Sequence, residues 1–173
     1  MRIPQATLDK IFAHGSECYP EEACGLLSGP EEGDALSGFH PLENELGRLH
    51  ARDPSRFPRG AREGYYLDPL AFLKLQQALE AEGQRVKVIY HTHPDVGAYF
   101  SEEDRQQAAW AEGPLYPGMV YLVCGVKGGR PDGAILAVYN ESTKDFDVDE
   151  VLPAGCGSLG KMGSQPSVSP SSR

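Results

Sequence analysis

The stretch Val86–Asp104 reads VKVIYHTHPDVGAYFSEED, and its pattern is the most informative in the chain. Residues 86–90 form a mostly apolar run, which favours a buried β-strand. His91 and His93 follow with one residue between them, so on a strand both imidazoles leave the same face. Pro94 comes directly after the second histidine and is expected to end the strand. The stretch therefore predicts a strand that brings two imidazoles to one side of a sheet.

A helix start follows the strand after a short connection. Ser101 is a favoured N-cap residue, and Asp104 lies in the first turn, where acidic side chains complement the helix dipole. The predicted helix runs from Ser101 to about residue 111. Taken separately, the histidines could be an exposed strand end, and the serine and aspartate could be a helix cap.

The combination of the two features favours a metal site. Two neutral ring nitrogens from His91 and His93 and one carboxylate oxygen from Asp104 leave a fourth tetrahedral position open for water. This arrangement is typical of catalytic rather than structural zinc. Capping and ligation are compatible, because a capped helix start is a rigid place for a ligand.

The spacing His-x-His-Pro, six residues, then Ser-x-x-Asp resembles the signature of the JAMM metalloproteases, the catalytically competent branch of the MPN (Mov34/PAD-1-like) domain. That family also carries an upstream glutamate in a Glu-x-Cys-Gly context ahead of a hydrophobic strand. Residues 20–29, PEEACGLLSG, supply this context and place the glutamate at Glu22. The resemblance covers residues 1–152. It implies one domain of the α/β (α+β) class, with a curved mixed sheet flanked by helices.

The resemblance also implies a mechanism. Zinc on the histidines and Asp104 would lower the pKa of a bound water towards neutrality. Glu22 would be the general base that accepts the proton of this water, and Ser101 would donate to the oxyanion of the tetrahedral intermediate. Without the resemblance, Glu22 is one of two acids after a proline and indicates only surface charge.

The expected substrate also follows from the resemblance. The family cleaves peptide or isopeptide bonds after the C-terminal glycines of ubiquitin or ubiquitin-like proteins, and this compact chain is similar to its small prokaryotic members. Those members are associated with ubiquitin-like sulfur carriers, so we expect a partner that ends in Gly-Gly. Two alternatives are a non-catalytic MPN scaffold or binding module, and a thiol hydrolase that uses Cys24. The scaffold is disfavoured because every motif position is present, and the thiol hydrolase because no base can be identified.

Composition limits the remaining function classes. The chain has 173 residues, a net charge of -9 and a pI near 5.0, which disfavours a nucleic-acid partner. Its cysteines form no CxxC pair and indicate reduced thiols of a cytosolic protein. The N-terminus lacks a hydrophobic signal core, and no apolar run approaches the ~20 residues needed to cross a bilayer. We therefore expect a soluble cytoplasmic protein with no membrane partner.

The other elements are predicted from periodicity and turn residues. Helices are expected over residues 5–17 and 68–83, the second with Asp68 as N-cap and Pro69 at its first position. The second helix is expected to bury the apolar stripe Leu70, Leu73, Ala78 and Leu79. Further strands are expected over 23–28, 34–41, 119–126, 134–140 and 146–151.

Two segments lack clear periodicity. Residues 42–65 contain five arginines and two prolines and are predicted to form an irregular loop. This loop is either a solvated connection or a positively charged surface that binds a partner. Residues 153–173 are rich in Gly, Ser and Pro and are predicted to be a disordered tail after a domain of residues 1–152.

Overall fold

A computed structural model describes residues 1–151 as a mixed sheet flanked by helices, as predicted. The predicted tail and the domain boundary after residue 152 lie outside the described residues. In chain order the elements are α1 (Gln5–Cys18), β1 (Cys24–Pro30), β2 (Gly38–Leu42), α2 (Leu46–Arg52), α3 (Pro69–Ala81), β3 (Gln84–Pro94), α4 (Glu102–Ala108), β4 (Ala109–Trp110), β5 (Gly113–Pro114), β6 (Val120–Lys127), β7 (Arg130–Asn140) and β8 (Asp145–Glu150).

The main sheet has six strands in the order β2-β1-β3-β6-β7-β8. Strands β3 and β6 pair in parallel, and all other neighbours in this sheet are antiparallel. Strand β3 lies between β1 and β6 and is buried from residue 86 to residue 93. Burial of both of its faces explains the nearly continuous apolar run in the sequence.

The two faces of the sheet bury separate cores. Helix α1 packs on one face, where the core includes Leu8, Ile11, Val88, Tyr90 and Leu122. Helices α3 and α4 contribute to the core on the other face, which includes Phe72, Leu79, Ile89, Ala108 and Tyr121. Since side chains alternate along β3, His91 and His93 leave on the face of Ile89, on the side of α3 and α4.

Helix α1 approaches β3 closely at Gly15. A Cβ atom at this position would lie 2.8 Å from Thr92 Cγ2 and 3.0 Å from Val126 Cγ2. Both distances are shorter than ordinary carbon contacts, so a larger residue would push the helix away from the strand. Glycine therefore sets the spacing on the face opposite the histidines.

The stripe predicted for α3 is partly wrong. Leu70 and Leu73 are 65% and 48% exposed, whereas Phe72 and Leu79 are buried in the core. The helix is apolar on several sides, so periodicity alone does not decide which side faces the sheet. The predicted N-cap is confirmed, since the Asp68 side chain accepts a hydrogen bond of 3.0 Å from the Leu70 backbone N–H.

Two other predictions of secondary structure require correction. Helix α4 ends at Ala108 rather than near residue 111, because β4 leaves the helix to pair with β5 in a short hairpin. The segment 42–65 is not wholly irregular, because it contains α2. None of the helices described within residues 1–151 is long and apolar enough to span a membrane.

Candidate active site

Strand β3 positions both histidines. His91 is fully buried and His93 is 5% exposed. In the parallel pairing with β6, His91 lies opposite Val123 and His93 lies opposite Gly125. The strand ends at Pro94 as predicted, so the two imidazoles occupy its carboxyl-terminal end.

The start of α4 positions Asp104 through a capping box. Ser101 Oγ accepts a hydrogen bond of 3.1 Å from the Asp104 backbone N–H. In return, Asp104 Oδ2 accepts two hydrogen bonds, one of 2.8 Å from the Ser101 backbone N–H and one of 2.6 Å from the Ser101 hydroxyl. The carboxylate is therefore held from its own helix end, with Oδ1 beside His91 and Oδ2 on the side of His93.

Three side chains converge tightly. His91 Nε2 lies 3.1 Å from His93 Nε2 and 3.2 Å from Asp104 Oδ1, and His93 Nε2 lies 3.7 Å from Asp104 Oδ2. A tetrahedral zinc ion with ligands about 2.0–2.1 Å away holds its ligand atoms roughly 3.3 Å apart. The observed separations are short enough for the three side chains to contact one metal ion.

Glu22 approaches the same histidines from the loop before β1. Its ligand atom and those of His91 and His93 all lie within 4.8 Å of one another. The side chain is 5% exposed, and Oε2 is buried with no hydrogen-bond partner among the described residues. Burial, opposed by His91, raises the pKa of Glu22 to about 7, which suits a general base near neutral pH.

The charges of the three converging groups are linked. Burial and then the nearby His91 lower the pKa of His93 to about 4, so that ring is neutral at physiological pH. Burial would raise the pKa of Asp104, but His91 and the bonds from Ser101 lower it strongly, and the carboxyl stays ionised. Burial lowers and Asp104 raises the pKa of His91, with a net upward shift.

Thr92, between the histidines, joins the strand to the glutamate segment. The Ala23 backbone N–H donates a hydrogen bond of 2.8 Å to Thr92 Oγ1. The Thr92 backbone N–H donates a hydrogen bond of 2.9 Å to the Ala23 carbonyl. These bonds fix the residue next to Glu22 against β3. Sequence reasoning missed this role, because the two partners lie 69 positions apart.

Asn44 is a second residue that sequence reasoning missed. Its Nδ2 donates hydrogen bonds of 3.0 Å to the Glu22 carbonyl and to the Gly64 carbonyl. Its Oδ1 accepts hydrogen bonds of 3.1 Å from the Leu46 backbone N–H and from the Tyr66 backbone N–H. One amide thus fixes three chain segments around the candidate base. An asparagine without a local motif gives no sequence signal for such a role.

Aromatic rings form the walls around the histidines. Tyr65 stacks on His91 with ring centroids 4.4 Å apart and an interplanar angle of 22°. Tyr99 meets His93 at a centroid distance of 4.8 Å and an angle of 61°. Tyr65 is buried and Tyr99 is 48% exposed, so one ring supports the site and the other lies at its entrance.

The site opens into a cavity of about 270 Å³. Glu22, His93, Ser101 and Asp104 line this cavity, which we call the catalytic cavity. The predicted arginine-rich loop contributes two lining residues, Arg59 and Arg62, and Arg59 pairs with Glu103 at 2.5 Å. The loop therefore borders the site.

The structure argues against thiol chemistry at Cys24. Burial, with a smaller contribution from Glu22, raises the pKa of this thiol to about 12. Its sulfur lies 3.8 Å from the Leu42 carbonyl oxygen. The thiolate is the nucleophilic form, so Cys24 is inert near neutral pH. The cysteines of the described residues are all free thiols: Cys18, Cys24 and Cys124.

Known structures share the fold. A solution structure of a Desulfitobacterium hafniense protein superposes with a TM-score of 0.62 at 22% identity, covering 87% of this chain and 90% of that one. A solution structure of a Salinibacter ruber protein superposes with a TM-score of 0.59 at 24% identity, covering 90% of this chain and 93% of that one. These likenesses concern the fold.

Sequence comparisons identify the family. A desampylase of Haloferax volcanii is 32% identical over 133 residues, 75% of this chain and 79% of that protein. A probable TtuB-protein conjugate cleaving protease of Thermus thermophilus is 32% identical over 140 residues, 79% and 80% of the two chains. A CysO-cysteine peptidase of Mycobacterium tuberculosis is 33% identical over 97 residues, which are 56% of this chain and 58% of that protein. Residues 4–137 match the family described as prokaryotic homologs of the JAB domain, and the chain belongs to this family.

Proposed function

We propose that this protein is a zinc peptidase that cleaves peptide or isopeptide bonds after the C-terminal Gly-Gly of a ubiquitin-like protein or sulfur carrier. The observation that carries the proposal is the convergence of His91, His93 and Asp104 beside the buried carboxyl of Glu22, at one cavity. Relatives named for cleaving conjugates or for a peptidase activity support the reaction class.

In this proposal the metal ligands are His91, His93 and Asp104. Their separations suit tetrahedral zinc, and the low pKa of His93 keeps a ring nitrogen available. Zinc, when bound, supplies a Lewis acid that polarises the scissile carbonyl and activates water at neutral pH. Glu22 is the other carboxylate beside the histidines, and we assign it to proton transfer rather than to ligation.

Glu22 acts as the general base and then as the acid. Its carboxylate accepts a proton from the attacking water and passes one to the leaving amine as the carbon–nitrogen bond breaks. Burial and the lack of a partner for Oε2 leave this oxygen available for the transfer. Two hydrogen bonds hold the Glu22 backbone. The Asn44 side-chain amide donates to the Glu22 carbonyl at 3.0 Å, and the Glu22 backbone N–H donates to the Ala61 carbonyl at 2.7 Å.

Ser101 has two proposed roles. Its hydroxyl donates to Asp104 in the described conformation, which orients the ligand. After rotation of this hydroxyl, the same group can donate to the developing oxyanion of the substrate. Loss of Ser101 therefore affects both the metal ligand and the transition state.

The form of the catalytic cavity favours a glycine-ended chain. Tyr65 and Tyr99 flank the histidines, and the cavity volume is about 270 Å³. Two glycines have no side chains that could clash with these rings. Arg59 at the rim is paired with Glu103, whereas Arg62 would attract an acidic group of the partner and make association depend on ionic strength.

Intact-mass analysis tests this function. The protein is incubated with a ubiquitin-like carrier that ends in Gly-Gly followed by several extra residues. We expect the product mass to correspond to cleavage after the second glycine. Replacement of either terminal glycine by a bulky residue is expected to lower the rate sharply.

Two controls separate the chemistry from the substrate class. The Glu22→Gln variant is expected to leave the carrier uncut under the same conditions. An unstructured peptide without glycines serves as the comparison substrate. Equal cleavage of that peptide and the glycine-ended carrier would contradict the proposed substrate class and leave the peptidase chemistry standing.

A further inference from the structure

A second cavity lies at the opposite end of β3 from the histidines. Its volume is about 420 Å³, in the range typical of small-molecule sites, and we call it the distal cavity. It lies between the second half of α3, the first residues of β3 and the segment before β6. Val86 lines it and precedes His93 on β3 by roughly 23 Å of extended strand. The distal cavity and the catalytic cavity share no lining residue.

The floor of the distal cavity is apolar. Phe72, Val86 and Met119 line it and belong to the buried core on this face of the sheet. The Tyr116 ring stacks on Phe72 with ring centroids 5.0 Å apart and an interplanar angle of 26°. A ligand in the cavity can therefore bury an aliphatic side chain against these groups, which is favourable.

The rim of the distal cavity has charges of both signs. The guanidinium of Arg85 and the carboxylates of Glu31 and Glu80 line the same cavity, and all three side chains are exposed. Within residues 1–151, none of these three side chains forms an ion pair. The cavity therefore presents a cation and two anions that do not neutralise one another.

Hydrogen bonds orient two of the charged side chains. Arg85 Nε donates a hydrogen bond of 3.0 Å to the Glu31 carbonyl, which leaves the two terminal guanidinium nitrogens for a ligand. Gln76 Nε2 donates a hydrogen bond of 2.9 Å to Glu80 Oε1, which leaves Oε2 for a ligand. The cavity thus offers oriented donors on a cation and an oriented acceptor on a carboxylate.

An α-amino acid matches the floor and the rim together. Its carboxylate can accept hydrogen bonds from a guanidinium, and its ammonium can donate to a carboxylate. Such charge-assisted bonds are stronger than bonds between neutral groups. A ligand that is only anionic would be repelled by the two glutamates, and a ligand that is only cationic would leave Arg85 without a partner. The combination therefore favours a zwitterion with an apolar side chain.

We propose that the distal cavity is a binding site for a free α-amino acid with an apolar side chain. Arg85 binds the carboxylate, Glu31 and Glu80 bind the ammonium, and the side chain packs on Phe72 and Met119. This site is additional to the proposed peptidase function and does not depend on it.

Isothermal titration calorimetry of the full-length protein tests the ligand class. The probe is L-leucine, and its two analogues are isoamylamine, which lacks the carboxylate, and isocaproate, which lacks the ammonium. We expect leucine to bind at about one molecule per chain and each analogue to bind at least about tenfold more weakly, because each loses one charge-assisted contact. Equal affinity for leucine and either analogue, or no saturable binding of leucine, would overturn the proposal.

Glycine tests the apolar floor. It has both charged groups but no side chain to bury, so we expect it to bind at least about tenfold more weakly than leucine. Equal affinity for glycine and leucine would contradict the role assigned to the floor and overturn the proposal.

Variants of the exposed rim test the assigned contacts. Arg85→Gln is expected to weaken leucine binding at least about tenfold and to leave isoamylamine binding unchanged, because that amine has no carboxylate. The double variant Glu31→Gln/Glu80→Gln is expected to weaken leucine binding without weakening isocaproate binding. Arg130→Gln, at an exposed arginine that begins β7, is the matched control and is expected to change neither. Unchanged leucine affinity in Arg85→Gln, or an equal loss for leucine and isoamylamine, would overturn the proposal.

NMR spectroscopy of the isotope-labelled full-length protein distinguishes the distal cavity from the catalytic cavity, where an amino acid could bind a metal ion. We expect leucine to shift the backbone amide resonances of Val86 and Met119 and to leave those of His93 and Ser101 unchanged. The reverse pattern would place leucine at the catalytic cavity and overturn the proposal. Cleavage is not measured in these experiments, so failure of the proposed peptidase function would not change their outcome.

Discussion

Successive residues of β3 point to opposite faces of the sheet, and the side chains on the two faces have different roles. On one face Tyr90 and Thr92 pack against α1, and their polar groups bond to His14 and Ala23. On the other face His91 contacts Asp104 and lies near the carboxyl of Glu22, whose Oε2 has no hydrogen-bond partner within residues 1–151. The first face fixes the strand, and the second keeps groups available for a metal and a proton.

This difference explains how buried charge is tolerated in a small domain. Leaving ionisable groups incompletely paired in a core is destabilising. Here the opposite face compensates with close packing at Gly15 and with the two hydrogen bonds between Thr92 and Ala23.

The largest effect is expected when both imidazoles are removed. The double variant His91→Ala/His93→Ala loses two of three proposed ligands, so we expect zinc to fall from about one ion per chain to near zero, with loss of turnover. Metal content is measured by mass spectrometry after gel filtration. His40→Ala removes an imidazole away from the site and is expected to retain zinc. Near-stoichiometric zinc in the double variant would refute the ligand assignment.

The two carboxylates are expected to behave differently. Glu22→Gln keeps the size of the side chain but removes the base, so we expect zinc to be retained and kcat to fall roughly 10²–10⁴-fold. Asp104→Asn removes a ligand, so we expect weaker zinc binding as well as lower turnover. Zinc loss in the Glu22 variant with retention in the Asp104 variant would reverse the assignment of ligand and base.

Ser101→Ala is expected to have a smaller effect on turnover. Loss of an oxyanion donor costs about 10²–10³-fold in kcat. The variant also loses the hydroxyl bond to Asp104, so zinc affinity is measured in parallel. A fall in zinc affinity with normal kcat at saturating zinc would show that the hydroxyl acts only on the ligand.

Asn44 connects Glu22 to the segment that borders the site. Asn44→Asp keeps an acceptor for the Leu46 and Tyr66 backbone but loses the donors to the Glu22 and Gly64 carbonyls. We expect kcat to fall about tenfold with zinc retained, because a displaced base transfers protons less efficiently. Unchanged kcat would mean that the backbone contact from Ala61 suffices.

The smallest effect on catalysis is expected on the opposite face of β3. Thr92→Val keeps the shape but leaves the Ala23 N–H without its side-chain acceptor, which costs about 1–3 kcal/mol of unfolding free energy. Thr92→Ser keeps the hydroxyl and is the matched control. Chemical denaturation measures the difference, and kcat is expected to change less than in any variant above.

The parts of the site that follow local rules could be predicted from the sequence. Alternation places His91 and His93 on one face, and capping chemistry places Asp104 at the start of a helix. Glu22 was placed by family resemblance alone, since its carboxyl meets the histidines only after β1 has paired with β3. Thr92 and Asn44 act through contacts between distant positions, so no local pattern marks their roles.

The errors in the fold prediction have a related cause. In α3, apolar residues occur on several sides, and packing against the sheet selects Phe72 and Leu79 over Leu70 and Leu73. At the end of α4, pairing between β4 and β5 takes over a sequence that could have continued the helix. Tertiary contacts override local propensity in both places.

Metal depletion and reconstitution test the central claim most directly. The protein is stripped of metal by a chelator, and cleavage of a Gly-Gly-extended carrier is measured as zinc is added back. We expect no cleavage without metal and a rate that rises with bound zinc until about one ion is bound per chain. Full cleavage by protein shown to be free of metal would contradict the account.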